Sequence, residues 1–217
     1  MPKDQLQKTN RTTLVRNPKR AEYDRDVVNK IIDGTPLCHV SYIIEGRPYV
    51  TPTLQWRQGD TIYWHGSSAS RFLREIIDKE VCMSITHFDG IVLARSAFHH
   101  SINYRSVTLF GEASKIDDDE KNQLLENFVE TLVPGRWKTL RPMTDQEAKA
   151  TTVFSMPIEE GSAKVRTGPP VDDDEDYELP IWAGVLPMSQ TLHAPEPDPR
   201  NVAGLEVPKH VHDYKLG

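Results

Sequence analysis

Short apolar runs separated by turns constrain the fold of this chain more than any other feature. Within residues 36–86 two β-hairpins follow one another, with turns at 45–48 and 58–60, and a further strand, "VCMSITHF", ends the stretch. One helix, over about residues 70–79, interrupts the series, and "GIVLARSAF" and "NYRSVTLFGEASKI" add two more predicted strands. Many short antiparallel strands favour a closed barrel, because closure removes sheet edges and leaves a ligand site at the rim.

Helices are predicted on both sides of these strands. "YDRDVVNKIIDG" places its apolar residues on one face and ends at Gly34, a residue typical of helix C-termini. "DDDEKNQLLENFVETLV" begins with carboxylates at its positive end, and we expect it to lie across the barrel. The sequence thus predicts a mainly β protein with flanking helices, divided into an N-terminal arm (1–20), a barrel domain (21–190) and an extended tail (191–217).

Composition excludes several classes of protein. The net charge is −6 over 217 residues, which argues against a nucleic-acid surface, since binding a phosphate backbone needs clustered cations. Cys38 and Cys82 lie in apolar runs without metal-ligand spacing, and the acidic run "VDDDEDYELP" lacks an EF-hand pattern and is interpreted as a solvated loop. No apolar segment is long enough for a signal peptide or a membrane span, so we expect a cytoplasmic protein.

The stretch "YWHGSSASRFLREI" joins a strand to a helix through small hydroxyl residues and two cations. Such a junction lets an anion approach unpaired backbone N–H groups, which predicts a phosphate site. Neither the GxxxxGK[ST] spacing of a nucleotide P-loop nor the GxGxxG of a dinucleotide fold is present. The alternative is an ordinary helix cap, in which Ser67 or Ser70 accepts a hydrogen bond from the backbone.

The order of "RPYVTPTLQW", "TIYWHGSSASRFLREI", "NYRSVTLFGEA" and "LPIWAGVLP" resembles the FMN-binding split barrels of the pyridoxamine 5'-phosphate oxidase-like family. The branch containing the nitroimidazole-resistance (Nim) proteins is the most similar one, and the resemblance covers about residues 18–190. It implies a split β-barrel that forms a homodimer, with FMN at the subunit interface and its phosphate at the strand-to-helix junction. The phosphate would be held by Ser67, Ser70 and Arg71.

The same resemblance implies the other flavin contacts. His65 and Gly66 would line the ribityl or flavin edge, and the isoalloxazine would lie along Thr51, Pro52 and Thr53. The facing subunit would contribute Tyr104, Arg105 and Ser106, and Trp182 would cover part of the ring. These roles suit the residue types, because guanidinium groups bind phosphate and aromatic planes stack on flavin.

Two departures from the oxidase put vitamin B6 oxidation in doubt. Phe72 follows Arg71 where the oxidase has lysine, and "PIWAGVLP" lacks the oxidase's arginine-bearing substrate motif. We therefore expect an FMN-dependent oxidoreductase acting on another small molecule. His65 could donate a proton to that substrate, since its unperturbed pKa is close to neutral. The alternative is that His65 only hydrogen-bonds the cofactor or backbone.

Other histidines leave a different function open. His99 and His100 are adjacent, so on a strand they would point to opposite faces and could not chelate one metal together. Some split barrels bind haem through an axial histidine, and His99, His100, His210 or His212 could serve. A haem-binding protein and a flavin-binding module without turnover therefore remain as alternatives.

Overall fold

The computed structural model describes residues 4–215, which form nine strands and five α-helices. The strands are β1 (Ala21–Glu22), β2 (Leu37–Ile44), β3 (Arg47–Gln58), β4 (Thr61–Ser67), β5 (Lys79–Leu93), β6 (Ser101–Lys115), β7 (Thr151–Pro157), β8 (Glu160–Arg166) and β9 (Gly184–Pro187). The helices are α1 (Arg25–Asp33), α2 (Arg71–Glu75), α3 (Asp118–Leu132), α4 (Asp145–Ala150) and α5 (Lys209–His212). None of the helices within residues 4–215 is long and apolar enough to cross a membrane.

Six antiparallel strands close into a barrel in the order β5-β2-β3-β4-β7-β6, and β6 returns to β5 along most of its length. β8 and β1 extend the sheet beyond β6, and β9 extends it beyond β5. The mainly β fold with flanking helices, predicted from the hairpin pattern, is confirmed.

The barrel is split between β3 and β4. Residues 47–54 of β3 pair with residues 37–44 of β2, whereas β3 pairs with β4 only from Gln55 to Gln58. Beyond the pair Gln55 and Trp64 the two strands separate, and β4 continues with β7 as its partner as far as Ser67. Among the described residues no strand pairs with this side of residues 47–54. We call the opening between residues 47–54 of β3 and residues 65–67 of β4 the split.

Alternation of side chains places one face of each strand inside the barrel. On β4, Ile62 and Trp64 are fully buried, and on β2 the residues Cys38, Val40 and Ile44 are buried in turn. Burying each large apolar side chain contributes about 1.5–3 kcal/mol, so this interior supplies most of the barrel's stability.

The two predicted long helices are present. α1 buries Val28, Ile31 and Ile32, and the Asp24 carboxylate caps it by accepting a hydrogen bond from the Val27 N–H at 3.1 Å. α3 lies across the outside of the barrel, where Leu124 and Leu125 pack in one cluster with residues of β3 and β7.

Three boundaries differ from the sequence prediction. α2 ends at Glu75 instead of continuing to residue 79, because Asp78 takes a left-handed φ of 52° that ends helical geometry. "VCMSITHF" and the first four residues of "GIVLARSAF" belong to one strand, β5, whose register shifts between Phe88 and Gly90. This strand ends at Leu93 instead of continuing to Phe98. Gly90 is therefore part of a bulge.

The acidic run "VDDDEDYELP" is only partly a solvated loop. The Asp172 side chain is fully buried and accepts hydrogen bonds from the Arg95 N–H and Nη1, both at 3.0 Å. Burial alone would raise the pKa of Asp172, but these hydrogen bonds hold it below its usual value. The prediction was wrong for Asp172, because its partner lies 77 residues away in sequence and leaves no local signal.

Candidate functional site

Two groups of the predicted cofactor residues lie on opposite sides of the split. Thr51, Pro52 and Thr53 pair with β2 on one side and have no strand partner on the other among the described residues. His65 and Gly66 continue β4 past the last β3 pair. Two more residues of pairing would place Thr53 opposite Gly66, so the split separates groups that a continuous sheet would hold together.

Ser70 and Arg71 begin α2, directly after the end of β4. Ser70 is the residue that precedes the helix, yet its side chain makes no capping hydrogen bond. Ser67 Oγ accepts a hydrogen bond from the Ala69 N–H at 3.2 Å, which closes the turn before the helix. Arg71 forms no ion pair within the described part of the chain. The cap alternative therefore does not describe Ser70, and both side chains remain open to an anion.

Phe72 ties α2 to the strand on the far side of the split. Its ring centroid lies 4.7 Å from that of Tyr42 on β2, and the Tyr42 hydroxyl forms a hydrogen bond of 2.9 Å with the Thr51 hydroxyl. Phe72 also packs against the barrel core. This packing gives a physical reason for an aromatic residue where the oxidase has lysine.

Gly66 lies close to Leu73 of α2. A Cβ at this position would lie 2.9 Å from Leu73 Cδ1, and Leu73 is only 3% exposed. The absence of a side chain lets α2 lie close to β4, which sets the position of Ser70 and Arg71.

His65 lies beneath α3. Its ring centroid is 4.5 Å from that of Phe128 and 5.9 Å from that of Trp56, and its Nδ1 is buried without a hydrogen-bond partner among residues 4–215. Burial lowers the pKa of His65 and so favours the neutral ring. The proton-donor role of His65 stays a prediction.

The remaining predicted residues form a second group away from the split. Tyr104, Arg105 and Ser106 lie on β6, and two strands, β2 and β5, separate them from β3. Arg105 binds Asp89 through two hydrogen bonds of 2.9 and 2.8 Å, and this guanidinium lowers the pKa of the Asp89 carboxyl. A single chain does not bring this group to the split.

Trp182 lies next to β9, which is joined to β6 through β5. It is 68% exposed, just before β9, and atoms of its ring lie 2.9 Å from the position that a Cβ on Gly184 would occupy. Three exposed aliphatic residues form a row on adjacent strands near it: Ile102 on β6, Ile91 on β5 and Leu186 on β9. They are 44%, 38% and 48% exposed, which makes an apolar patch on the surface of one chain.

Sequence reasoning missed three residues of this arrangement. Tyr42 and Phe72 connect the two sides of the split, and Asp89 neutralises Arg105. The apolar spacing of Phe72, Leu73 and Ile76 is a signal that α2 packs on the core. The pairing of Asp89 with Arg105 depends on the β5–β6 register and has no signal in the local sequence.

Comparison with known proteins identifies the family. The family model for pyridoxamine 5'-phosphate oxidase matches residues 24–165. This chain belongs to that family. The flavocytochrome Anf3 from Azotobacter vinelandii is 46% identical, with a TM-score of 0.93, over 96% of this chain and 98% of that chain. The FAD and haem binding protein from Mycobacterium smegmatis is 35% identical, with a TM-score of 0.86, over 88% of this chain and 95% of that chain.

A more distant solved structure shares the fold. A proposed 5-nitroimidazole antibiotic resistance protein from Bacteroides thetaiotaomicron is 23% identical, with a TM-score of 0.54, over 67% of this chain and 86% of that chain. No curated protein matched this chain significantly.

Proposed function

We propose that this family member binds a flavin nucleotide in the split and acts as a flavin-dependent oxidoreductase on a small molecule. The observation that carries the proposal is the pair Ser70 and Arg71, whose side chains are unengaged at the edge of the split. The open edge of residues 47–54 lies across from them. The two relatives at 46% and 35% identity, a flavocytochrome and an FAD and haem binding protein, support a flavin.

The residues present fit a flavin nucleotide. When bound, flavin supplies the redox chemistry of the reaction. Arg71 and Ser70 would bind its phosphate through charge-assisted hydrogen bonds. The Gln55 N–H donates to the Pro36 carbonyl on the β2 side, so by alternation the backbone groups of Thr51 and Thr53 also face β2. The C=O of Pro52 would face the polar edge of the ring, and Pro52 has no N–H to donate. The Tyr42–Thr51 hydrogen bond would keep this strand in place.

We propose that the second group of residues reaches the flavin from a partner copy of the chain. The apolar row of Ile91, Ile102 and Leu186 supports a homodimer. In a two-fold symmetric dimer the same surface of each chain lies in the interface, so one contact would bury the apolar row of both chains. Tyr104, Arg105 and Ser106 would then complete the site of the partner, and Trp182 would cover part of the ring.

The phosphate contact can be tested with a matched pair of variants. Arg71→Met should lower flavin affinity by about 10-fold to 100-fold, the scale of a charge-assisted hydrogen bond. Arg74→Met changes an exposed residue of the same helix and should leave affinity unchanged. Flavin fluorescence titration of the apo-protein measures both. Equal affinities in the two variants would remove Arg71 from the site.

Haem is a second candidate cofactor, favoured by the geometry of His100. The His100 Nδ1 lies 2.8 Å from the Ser96 carbonyl oxygen, and because a carbonyl only accepts, Nδ1 carries the proton. Nε2 is therefore free to coordinate a metal. In many metalloproteins the ligating histidine likewise donates its other ring N–H to a carbonyl or carboxylate oxygen, which fixes the orientation of the ring. Phe98, at 86% exposed, and Ile102 offer apolar surface beside it.

This haem candidate has its own test. His100→Ala should abolish the Soret band and leave the flavin content intact. His99→Ala is the matched control, since His99 lies on the same loop as His100 and its Nε2 lies 3.4 Å from the Asp173 carboxylate. Haem retained by His100→Ala would exclude this ligand.

A further inference from the structure

The outer face of β6 and β8 carries cations that none of the roles above uses. Arg166 pairs with Tyr104, and Lys164 pairs with Ser106 across the two strands. Directly paired residues of antiparallel strands share a face, so both cations lie beside residues of the second flavin group. Arg20 immediately precedes β1, whose Ala21 pairs with Lys164.

Arg166 is an unusual member of this group because it is buried. It is 9% exposed, and its guanidinium donates only to neutral oxygens. Nη1 donates to Asn103 Oδ1 and, at 3.4 Å, to the Gly168 carbonyl; Nη2 donates at 3.4 Å to the Pro169 carbonyl. Nε has no partner among the described residues. The contacts with the Gly168 and Pro169 carbonyls help to hold the Arg166 side chain in its buried position. They do not neutralise its positive charge.

No carboxylate within residues 4–215 forms an ion pair with Arg20, Lys164 or Arg166. Burial lowers the pKa of Arg166, and the neighbouring charge of Arg20 lowers it further. Buried charges in proteins are almost always paired with an opposite charge or a ligand. Arg166 is the buried one of these three cations, and an anion from outside the described chain would supply the opposite charge that it lacks.

We infer that Arg166, with Lys164 and Arg20, binds a phosphate group, and that this group is the second phosphate of FAD, presented by a partner copy. The inference rests on the proposed function and goes beyond it. FMN has one phosphate, which Ser70 and Arg71 would hold under the proposed function, whereas FAD has two. Arginine suits a phosphate because its planar fork donates two parallel hydrogen bonds. The position next to Tyr104 and Ser106 connects this phosphate to the flavin.

The test compares FAD with FMN on the same apo-protein. Wild-type protein should bind FAD more tightly than FMN. Arg166→Met should weaken FAD binding by about 10-fold to 100-fold and change FMN binding by less than about threefold, because only FAD carries the contacted phosphate. Arg200→Met, which changes a side chain 88% exposed on the tail, should bind both flavins like wild type. Arg166→Lys keeps the charge and should retain part of the preference for FAD.

Two further measurements separate the sources of phosphate. ADP should compete with FAD and leave FMN bound, while inorganic phosphate at the same concentration should displace neither. If Arg166→Met does not fold, the double variant Arg20→Met and Lys164→Met tests the same loss of preference at partly exposed positions.

Other results would overturn the inference. These are equal losses for FAD and FMN in Arg166→Met, an unchanged preference in every variant, or inorganic phosphate competing as well as ADP. Wild-type protein that prefers FMN would refute this inference and leave the flavin proposal standing. Protein that binds neither flavin would refute the proposed function itself.

Discussion

Gly66→Ala tests how closely α2 must lie against β4. The added Cβ would be 2.9 Å from Leu73 Cδ1, well inside the 3.5–4.0 Å of an optimal contact between carbon atoms. Leu73 is 3% exposed and packs in the barrel core, so it has little room to move. Overpacking of this kind costs about 1–3 kcal/mol, and we expect the free energy of unfolding to fall by that amount.

The same change should weaken flavin binding. Relief of the clash moves the start of α2, and with it Ser70 and Arg71, away from β4. Urea denaturation measures the stability, and flavin fluorescence titration of the apo-protein measures the affinity. Both quantities should fall together in Gly66→Ala.

A double-mutant cycle with Leu73→Ala isolates the contact. Leu73→Ala alone should destabilise the protein by about 2–5 kcal/mol through the cavity that it leaves. In the double variant the methyl added at Gly66 enters this cavity, so the combined loss should be at least about 1 kcal/mol smaller than the sum. Additive losses would show that the two positions do not touch and would refute the reasoning.

Three other changes test separate parts of the structure. Phe72→Lys introduces the oxidase's residue but loses the packing on Tyr42, so it should destabilise the protein by about 2–4 kcal/mol in urea denaturation without raising flavin affinity. Phe72→Leu is the milder control. Tighter flavin binding by the lysine variant would contradict this account. Burial lowers the pKa of His65 in the folded protein, so below the ordinary histidine pKa of about 6.5 the unfolded state binds more protons than the folded state. The free energy of unfolding should therefore fall between pH 7 and pH 5 more steeply in wild type than in His65→Leu. Parallel pH profiles of urea denaturation for the two proteins would exclude His65 as the cause. Ile91→Lys should yield monomers by light scattering and lose flavin with dimerisation, whereas a monomer that keeps full flavin affinity would rule out a shared site.

The sequence predicted the barrel well because hairpin turns and alternating residues are local signals. α1 and α3 followed from apolar spacing for the same reason. The end of α2 depended on the left-handed Asp78, and the continuity of β5 depended on a bulge at Gly90; neither conformation has a distinctive sequence signature. The residue at which β3 and β4 part is set by the sheet as a whole, so the split was expected only through the family resemblance.

Part of the candidate site could be predicted from the sequence and part could not. The junction at Ser70 and Arg71 could be found from residue types, and the structure leaves both side chains without a capping hydrogen bond or an ion pair among the described residues. The burial of His65 under Phe128 could not be found, because α3 is more than 50 residues further along the chain. The unpaired charge of Arg166 could not be predicted from sequence, because it depends on the β6–β8 register and on which atoms surround the guanidinium.

The visible absorption spectrum of the protein as purified, followed by chromatography of the released cofactor, tests the central claim most directly. The account predicts flavin absorption bands, a released flavin that co-elutes with FAD, and a Soret band if His100 ligates haem. A spectrum with no flavin bands, from protein that also fails to bind added FMN or FAD, would contradict it.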